Sequence, residues 1–129
     1  MIRVSTSRRI ASMLFVMLLF LAVAGVAGEA AEEGMAAYYS NVFQGRKTAS
    51  GARYDKNRLT AAHNRLPFGT RVRVTNLKNG ESVVVTINDR GPHGGRRIID
   101  LSRAAAERIG LIHDGIGRVR LDIVEAVAK

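Results

Sequence analysis

The chain has 129 residues, with 20 Lys and Arg against 11 Asp and Glu, and a formal charge of +9. The length suits one domain. The absence of cysteine excludes a disulfide framework, a thiolate metal site, a cysteine nucleophile and a lipidated-cysteine anchor. The basic balance excludes an acidic disordered tail and calls for an anionic partner.

Arg3, Arg8 and Arg9 precede an apolar run from Met13 to Val23, then small residues from Ala22 to Gly28 and the acidic Glu29, Glu32 and Glu33. Basic, apolar, small, then polar is the order of a secretory signal peptide, read over residues 1–30. Cleavage after Ala24, Ala27 or Ala30 fits equally. The apolar run is shorter than the roughly 20 residues of a bilayer span; extended through Ala27 it would read instead as an uncleaved anchor. Export removes three arginines and leaves the mature chain basic. The mature chain then lies in the periplasm or the medium, with no membrane anchor after cleavage. There an anionic envelope polymer, not nucleic acid, is the expected partner.

Residues 31–34 read as a short linker and 35–125 as one domain. Leu59 to His63 reads either as a helical turn or as the entry to a strand. Val72 and Val74 alternate with Arg71, Arg73 and Thr75, the period-2 pattern of a half-buried strand. Asn79-Gly80 follows, a pair that favours tight hairpin turns because both residues tolerate positive φ. The return strand, Ser82 to Ile87, is rich in β-branched residues. Ser102 suits the N-cap of a short helix from Arg103 to Ile109, with Gly110 following as its C′ residue. A last strand runs from Val119 to Val124, with Val119, Leu121 and Ile123 on one face. Leu59 leads an Ala-rich stretch that reaches Arg71-Val72-Arg73-Val74; Leu101 leads another that reaches Arg118-Val119-Arg120-Leu121. This weak repeat points to a pseudo-symmetric small barrel, with an open α+β sheet as the alternative.

Several side chains could carry chemistry. Asp89 lies in Asn88-Asp89-Arg90-Gly91-Pro92, directly after the most apolar strand, as either a turn residue or a carboxylate presented to ligand. Asp100, eleven positions on, either caps the following helix or faces the same cleft. Two such carboxyl groups could divide into one protonated and one ionised group if burial raises one of them. Arg90 beside Asp89 can contact an anionic substrate. His63 is a lone histidine, and three separated histidines at no ligand spacing argue against a metal site; no cofactor is expected. Tyr38 and Tyr39 can stack on sugar rings. Arg46-Lys47, Arg53, Lys56, Arg58 and Arg65 form a basic stretch that is either solvated surface or a binding face.

Seven motifs in order carry a family resemblance: Ala36 to Ser40, Phe43 to Gly51, Leu59 to His63, Leu66 to Thr70, Val72 to Leu77, Val85 to Pro92 and Arg97 to Ser102. Over about Met35 to Val124 the chain resembles the septal-ring lytic transglycosylases of the rare lipoprotein A family. The resemblance implies a mainly β fold, a six-stranded double-psi β-barrel with one or two short helices. It implies peptide-stripped peptidoglycan strands as substrate. The implied reaction is non-hydrolytic cleavage between N-acetylmuramic acid and N-acetylglucosamine, ending in a 1,6-anhydro sugar. Asp89 and His63 match family positions, and Asp100 resembles a carboxylate shared more widely among such barrels, including expansin-like ones. The implied catalytic set is Asp89, Asp100 and His63, with Tyr38, Tyr39, Thr60 and Arg90 contacting substrate in a monomer. Ala52 stands where the family carries a Glu, and Tyr38-Tyr39-Ser40 where it often carries Trp-Tyr-Gly. A non-catalytic, expansin-like wall-binding module is the alternative function.

Overall fold

In the computed structural model, residues 31–127 are described; the signal peptide expected over 1–30 lies outside them. Six strands follow in chain order: β1 Glu32–Tyr38, β2 Thr60–Ala62, β3 Arg71–Asn76, β4 Ser82–Asp89, β5 Arg97–Leu101 and β6 Gly117–Glu125. One helix, α1 Arg103–Arg108, joins β5 to β6, and a 3₁₀ turn at Asn41–Phe43 follows β1. The strands close into a barrel in the order β1-β5-β2-β4-β3-β6. β1 with β5 and β2 with β4 are parallel; every other neighbouring pair is antiparallel. Closure leaves no unpaired edge along the ring, which decides the barrel against the open sheet.

The alternation read from the sequence fills the barrel. Val72 and Val74 of β3, Val85 and Ile87 of β4, Ile99 and Leu101 of β5, and Val119 and Leu121 of β6 all point inward and are buried. Ile123 does not join them. It is 54% exposed, although it pairs with the buried Val72 of β3. Ser102 caps α1 by accepting a hydrogen bond from Ala105 N, and Gly110 follows at φ +68°. The helix buries Ala105 and Ala106, with Ile109 and Leu111 buried just beyond it.

Three sequence expectations resolve or change. Within Leu59 to His63 the centre, Thr60–Ala62, is a strand, because β2 pairs with β4 on one side and β5 on the other, and tertiary pairing overrides alanine's helix preference. The linker expected at 31–34 is mostly strand. Glu32, Glu33 and Gly34 pair with Leu121, Arg120 and Val119 of β6, and Glu33 opposite Arg120 is a favourable cross-strand pair. A side chain at Gly34 would meet Ile98 Cγ2 at 2.7 Å, so the close approach of β1 to β5 requires glycine there. In the hairpin turn only Gly80 takes positive φ, +76°. Asn79 serves by its side chain instead: its Oδ1 accepts from Glu81 N at 2.9 Å and its Nδ2 donates to Ile109 O at 3.0 Å.

Candidate active site

The shortest strand organises the site. Ala62, at the end of β2, pairs with Asp89 of β4 on one side and Asp100 of β5 on the other. The two aspartates therefore sit two strands apart, about 9–10 Å between backbones at the usual strand spacing, with a single methyl group between them. Both line an open cleft of about 680 Å³ together with Ala62 and with Tyr38 and Tyr39 at the end of β1. Arg46, Lys47, His93 and Arg97 also line it, and with Arg90 the basic side chains outnumber the two carboxylates.

Asp89 is held from three directions. Tyr39 Oη donates to Oδ2 at 2.5 Å, while Ala49 N at 2.8 Å and Arg90 N at 2.9 Å both donate to Oδ1. Tyr39 is fixed in turn: its ring stacks on Tyr54 at 4.4 Å between centroids and meets Phe43 edge-on at 5.9 Å. Burial, the hydrogen bond to Asp89 and that carboxylate's charge push the Tyr39 hydroxyl well above the usual phenol range, so it is a donor at every working pH. Asp100 accepts from Arg97 at 2.9 Å. Burial raises its carboxyl above the usual range; Arg97 and His93 oppose this, and Asp89 adds to it. The two carboxyl groups thus differ in their surroundings: Asp89 accepts from three donors, and Asp100 is desolvated beside one arginine.

The remaining expected site residues separate. Tyr38 lines the cleft with its ring and donates its hydroxyl to Ile112 O at 3.1 Å. Arg90 reaches the cleft wall, but its guanidinium is spent inside the protein: it donates to the carbonyls of His63 at 3.0 Å and Leu66 at 2.8 Å and lies 4.0 Å over the Phe68 ring. His63 does not line the cleft; it is 3% exposed. Its Nδ1 accepts from Arg65 N and Leu66 N at 3.0 and 3.1 Å, so the proton must sit on Nε2, which faces Glu32 Oε1 at 2.9 Å. Its backbone N–H donates to Asp89 O at 3.1 Å, so the residue touches the site only through the main chain. Thr60 is also outside the cleft, bonded by its backbone to Ser102. Ala52 is exposed on the loop after β1, and its carbonyl accepts from Thr48.

Sequence reasoning missed the Ala49 amide, which no motif could signal, and gave His93 no role although it follows Gly91-Pro92 directly. Arg46 and Lys47 were visible as charge but not as cleft residues. Among the described residues neither forms an ion pair with a carboxylate.

A family model described as lytic transglycolase matches residues 31–121, a span that holds every cleft residue. The chain belongs to the lytic transglycolase family. Among its relatives are a probable endolytic peptidoglycan transglycosylase RlpA of Synechocystis, 61% identical over 92 residues, 71% of this chain and 29% of that protein. Another is the endolytic peptidoglycan transglycosylase RlpA of Neisseria meningitidis serogroup A, 51% identical over 94 residues, 73% of this chain and 39% of that one. The chain thus spans well under half the length of these curated relatives. Among solved structures, a Streptomyces papain inhibitor superposes with a TM-score of 0.61 at 23% identity, covering 75% of this chain and 96% of that one. An apo expansin of Clavibacter michiganensis superposes at 0.60 with 24% identity, covering 78% of this chain and 53% of the expansin. At such identities the likeness concerns fold alone; with the family match, the six-stranded ring is an RlpA-like double-psi β-barrel.

Proposed function

We propose that the chain is exported by a signal peptide over 1–30 to the periplasm or the medium and acts there, as a monomer, as a peptidoglycan lytic transglycosylase. It would cut the linkage between N-acetylmuramic acid and N-acetylglucosamine in peptide-stripped strands and leave 1,6-anhydro ends. The observation that carries this reading is the position of Asp89: a carboxylate inside the family-matched span, fixed by three donors and lining an open cleft of about 680 Å³.

The chemistry needs little machinery. An ordinary glycosidase needs two carboxyl groups, one to protonate the leaving oxygen and one to act on the opposite face. In the lytic reaction the muramic 6-hydroxyl attacks its own anomeric carbon. One carboxyl group gives its proton to the glycosidic oxygen as that bond breaks and recovers a proton from the 6-hydroxyl, so protons balance without water. Asp89 is assigned this role. A carboxylate offers about four lone-pair sites; three are taken, and the open one is on Oδ2. Asp100, desolvated across Ala62, serves as the second carboxyl group facing the same sugar. Tyr38 presents a ring face, and Arg46 and Lys47 supply positive charge for the free lactyl carboxylate that peptide removal leaves on muramic acid. His63 and Arg90 act by holding the Asp89 strand end, and Thr60 by holding β2 to the start of α1.

The alternative, an expansin-like wall-binding module, is favoured by Ala52, which puts no carboxyl group where the family carries one. Incubating the mature domain with peptide-stripped sacculi decides between them by mass spectrometry. Products ending in 1,6-anhydro-muramic acid, lighter by one water than hydrolysis products, support the enzyme. Asp89→Asn lowers their yield by about 10²–10⁴-fold, the usual contribution of general acid–base catalysis, and keeps binding. Binding without any anhydro product refutes the enzyme and leaves the module.

A further inference from the structure

Tyr39 is expected from sequence to stack on sugar rings, yet its ring stacks on Tyr54 and its hydroxyl goes to Asp89. Its ring lies against Tyr54 at 4.4 Å with an interplanar angle of 11°, and Phe43 closes on it edge-on. Its hydroxyl is aimed at Asp89 Oδ2 rather than at solvent. Tyr54 is anchored at its own far end, where its hydroxyl accepts from Arg103 N at the start of α1. Its backbone is tied to the loop that carries Arg46: Tyr54 N donates to Arg46 O at 2.7 Å and Gly45 N donates to Tyr54 O at 2.9 Å. A continuous chain of contacts therefore runs from the helix start, through two stacked rings, to one oxygen of one carboxylate.

We infer that Tyr39 is the positioning residue of Asp89, a phenol locked by the Tyr54 stack so that its O–H fixes Oδ2 and leaves that oxygen one free lone pair toward the cleft. The two amides on Oδ1 alone would hold one oxygen and let the carboxylate swing about the Cβ–Cγ bond. The phenol closes that freedom, because Oδ2 is then tied to a ring that cannot turn without breaking the stack. Proton transfer to or from Asp89 becomes confined to a single direction, which is what in-line delivery to a glycosidic oxygen demands. The surroundings of Tyr39 keep it protonated, so it holds the carboxylate by donation and does not itself lose the proton. The catalytic meaning of this rests on the function proposed above; the geometry does not.

The test reads the carboxylate directly. In protein labelled with ¹³C at aspartate side chains, the Asp89 carbonyl signal is followed against pH in native protein and in Tyr39→Phe, which keeps the ring stack and removes one donor. Losing a hydrogen bond to the charged form disfavours that form, so the midpoint moves up by about one pH unit, a tenfold change in the proton equilibrium. Installing 3-fluorotyrosine at position 39 gives a more acidic, stronger donor and moves the midpoint down. Tyr54→Phe, which keeps the stack, leaves it in place. On stripped glycan, Tyr39→Phe lowers kcat about tenfold with little change in KM and shifts the pH profile in the same direction as the midpoint. A midpoint that stays put in both position-39 variants, or moves in the same direction in both, overturns the inference. Opposite shifts with no anhydro product from any form uphold Tyr39's hold on Asp89 and overturn the enzymatic function instead.

Discussion

Arg90 is the residue whose expected and observed roles differ most, and its substitution gives the sharpest test of the structure. Read from sequence, it contacts an anionic substrate. In the fold its guanidinium clamps two carbonyls, His63 O and Leu66 O, and covers the Phe68 ring. Arg90→Met keeps the apolar stem and deletes the fork. Two hydrogen bonds from a charged donor in a half-buried position contribute about 1 kcal/mol each, and the cation–π contact about 0.5–1 kcal/mol. The loss is therefore about 2–3 kcal/mol, since both carbonyls are left short of a partner. For a domain of this size that lowers Tm by about 10–20 °C. Urea denaturation followed by circular dichroism should show a lower midpoint at unchanged slope. Arg90→Lys, which reaches at most one carbonyl, should fall between the two. A stability loss below about 0.5 kcal/mol in Arg90→Met, accompanied by weaker retention on stripped sacculi, would refute the clamp and restore the substrate contact.

Asp100→Asn should stabilise the domain in a pH-dependent way. A carboxyl raised in the folded state contributes stability that is present below its unfolded range and is lost as pH rises through the folded value. The variant's Tm should match the native protein below about pH 3.5 and exceed it increasingly from about pH 4; equal Tm values across that range would show that Arg97 fully offsets burial. Arg46→Gln with Lys47→Gln should lower the salt concentration that elutes the domain from stripped sacculi, because both cations line the cleft with no carboxylate partner among the described residues, and exposed charges are screened within about 10 Å at 0.1 M salt; an unchanged elution point assigns the attraction to another face. Ala52→Glu should be neutral for stability, within about 0.5 kcal/mol, since the site is exposed. It should raise the rate of anhydro-sugar release if a carboxyl group there assists the reaction, and equal rates at equal folding would show that Asp89 and Asp100 suffice.

What the sequence made legible follows from how local each signal is. Strand alternation at Val72–Val74, the β-branched run from Ser82 to Ile87 and the Ser102 cap are encoded within a few residues, and each appears where it was read. The extent of β1 was not legible. Glu32, Glu33 and Gly34 have the composition of a linker, and only pairing with β6, nearly ninety positions away, makes them a strand. Within the site, the two carboxylates were visible as residues but their shared neighbour was not. That Ala62 lies between Asp89 and Asp100 depends on register across two interfaces. His63 shows the same limit in reverse: the histidine is where the motif puts it, but two backbone amides and Glu32 consume its ring.

The pseudo-symmetry explains why a site arises at this end of the barrel. Exchanging β1 with β4, β2 with β5 and β3 with β6 leaves the neighbour list of the closed ring unchanged. The register sharpens the exchange. Ala61 pairs with Leu101 and Ala62 with Asp100, so Ala62 and Leu101 occupy equivalent places, three positions later in the first half than the sequence repeat set them. Across the two parallel pairs, Tyr38 is joined to Leu101 as Asp89 is joined to Ala62. Tyr38 and Asp89 are therefore the same position in two halves of one plan. One half ends its strand in an aromatic pair, Tyr38-Tyr39, and the other in a carboxylate. The smaller partner, Ala62, opens space beside the carboxylate, whereas Leu101 fills the core beside the tyrosine. Divergence at this one pair of equivalent places puts a ring and a carboxylate on the same cleft, and the residue after Tyr38, Tyr39, holds that carboxylate with its phenol.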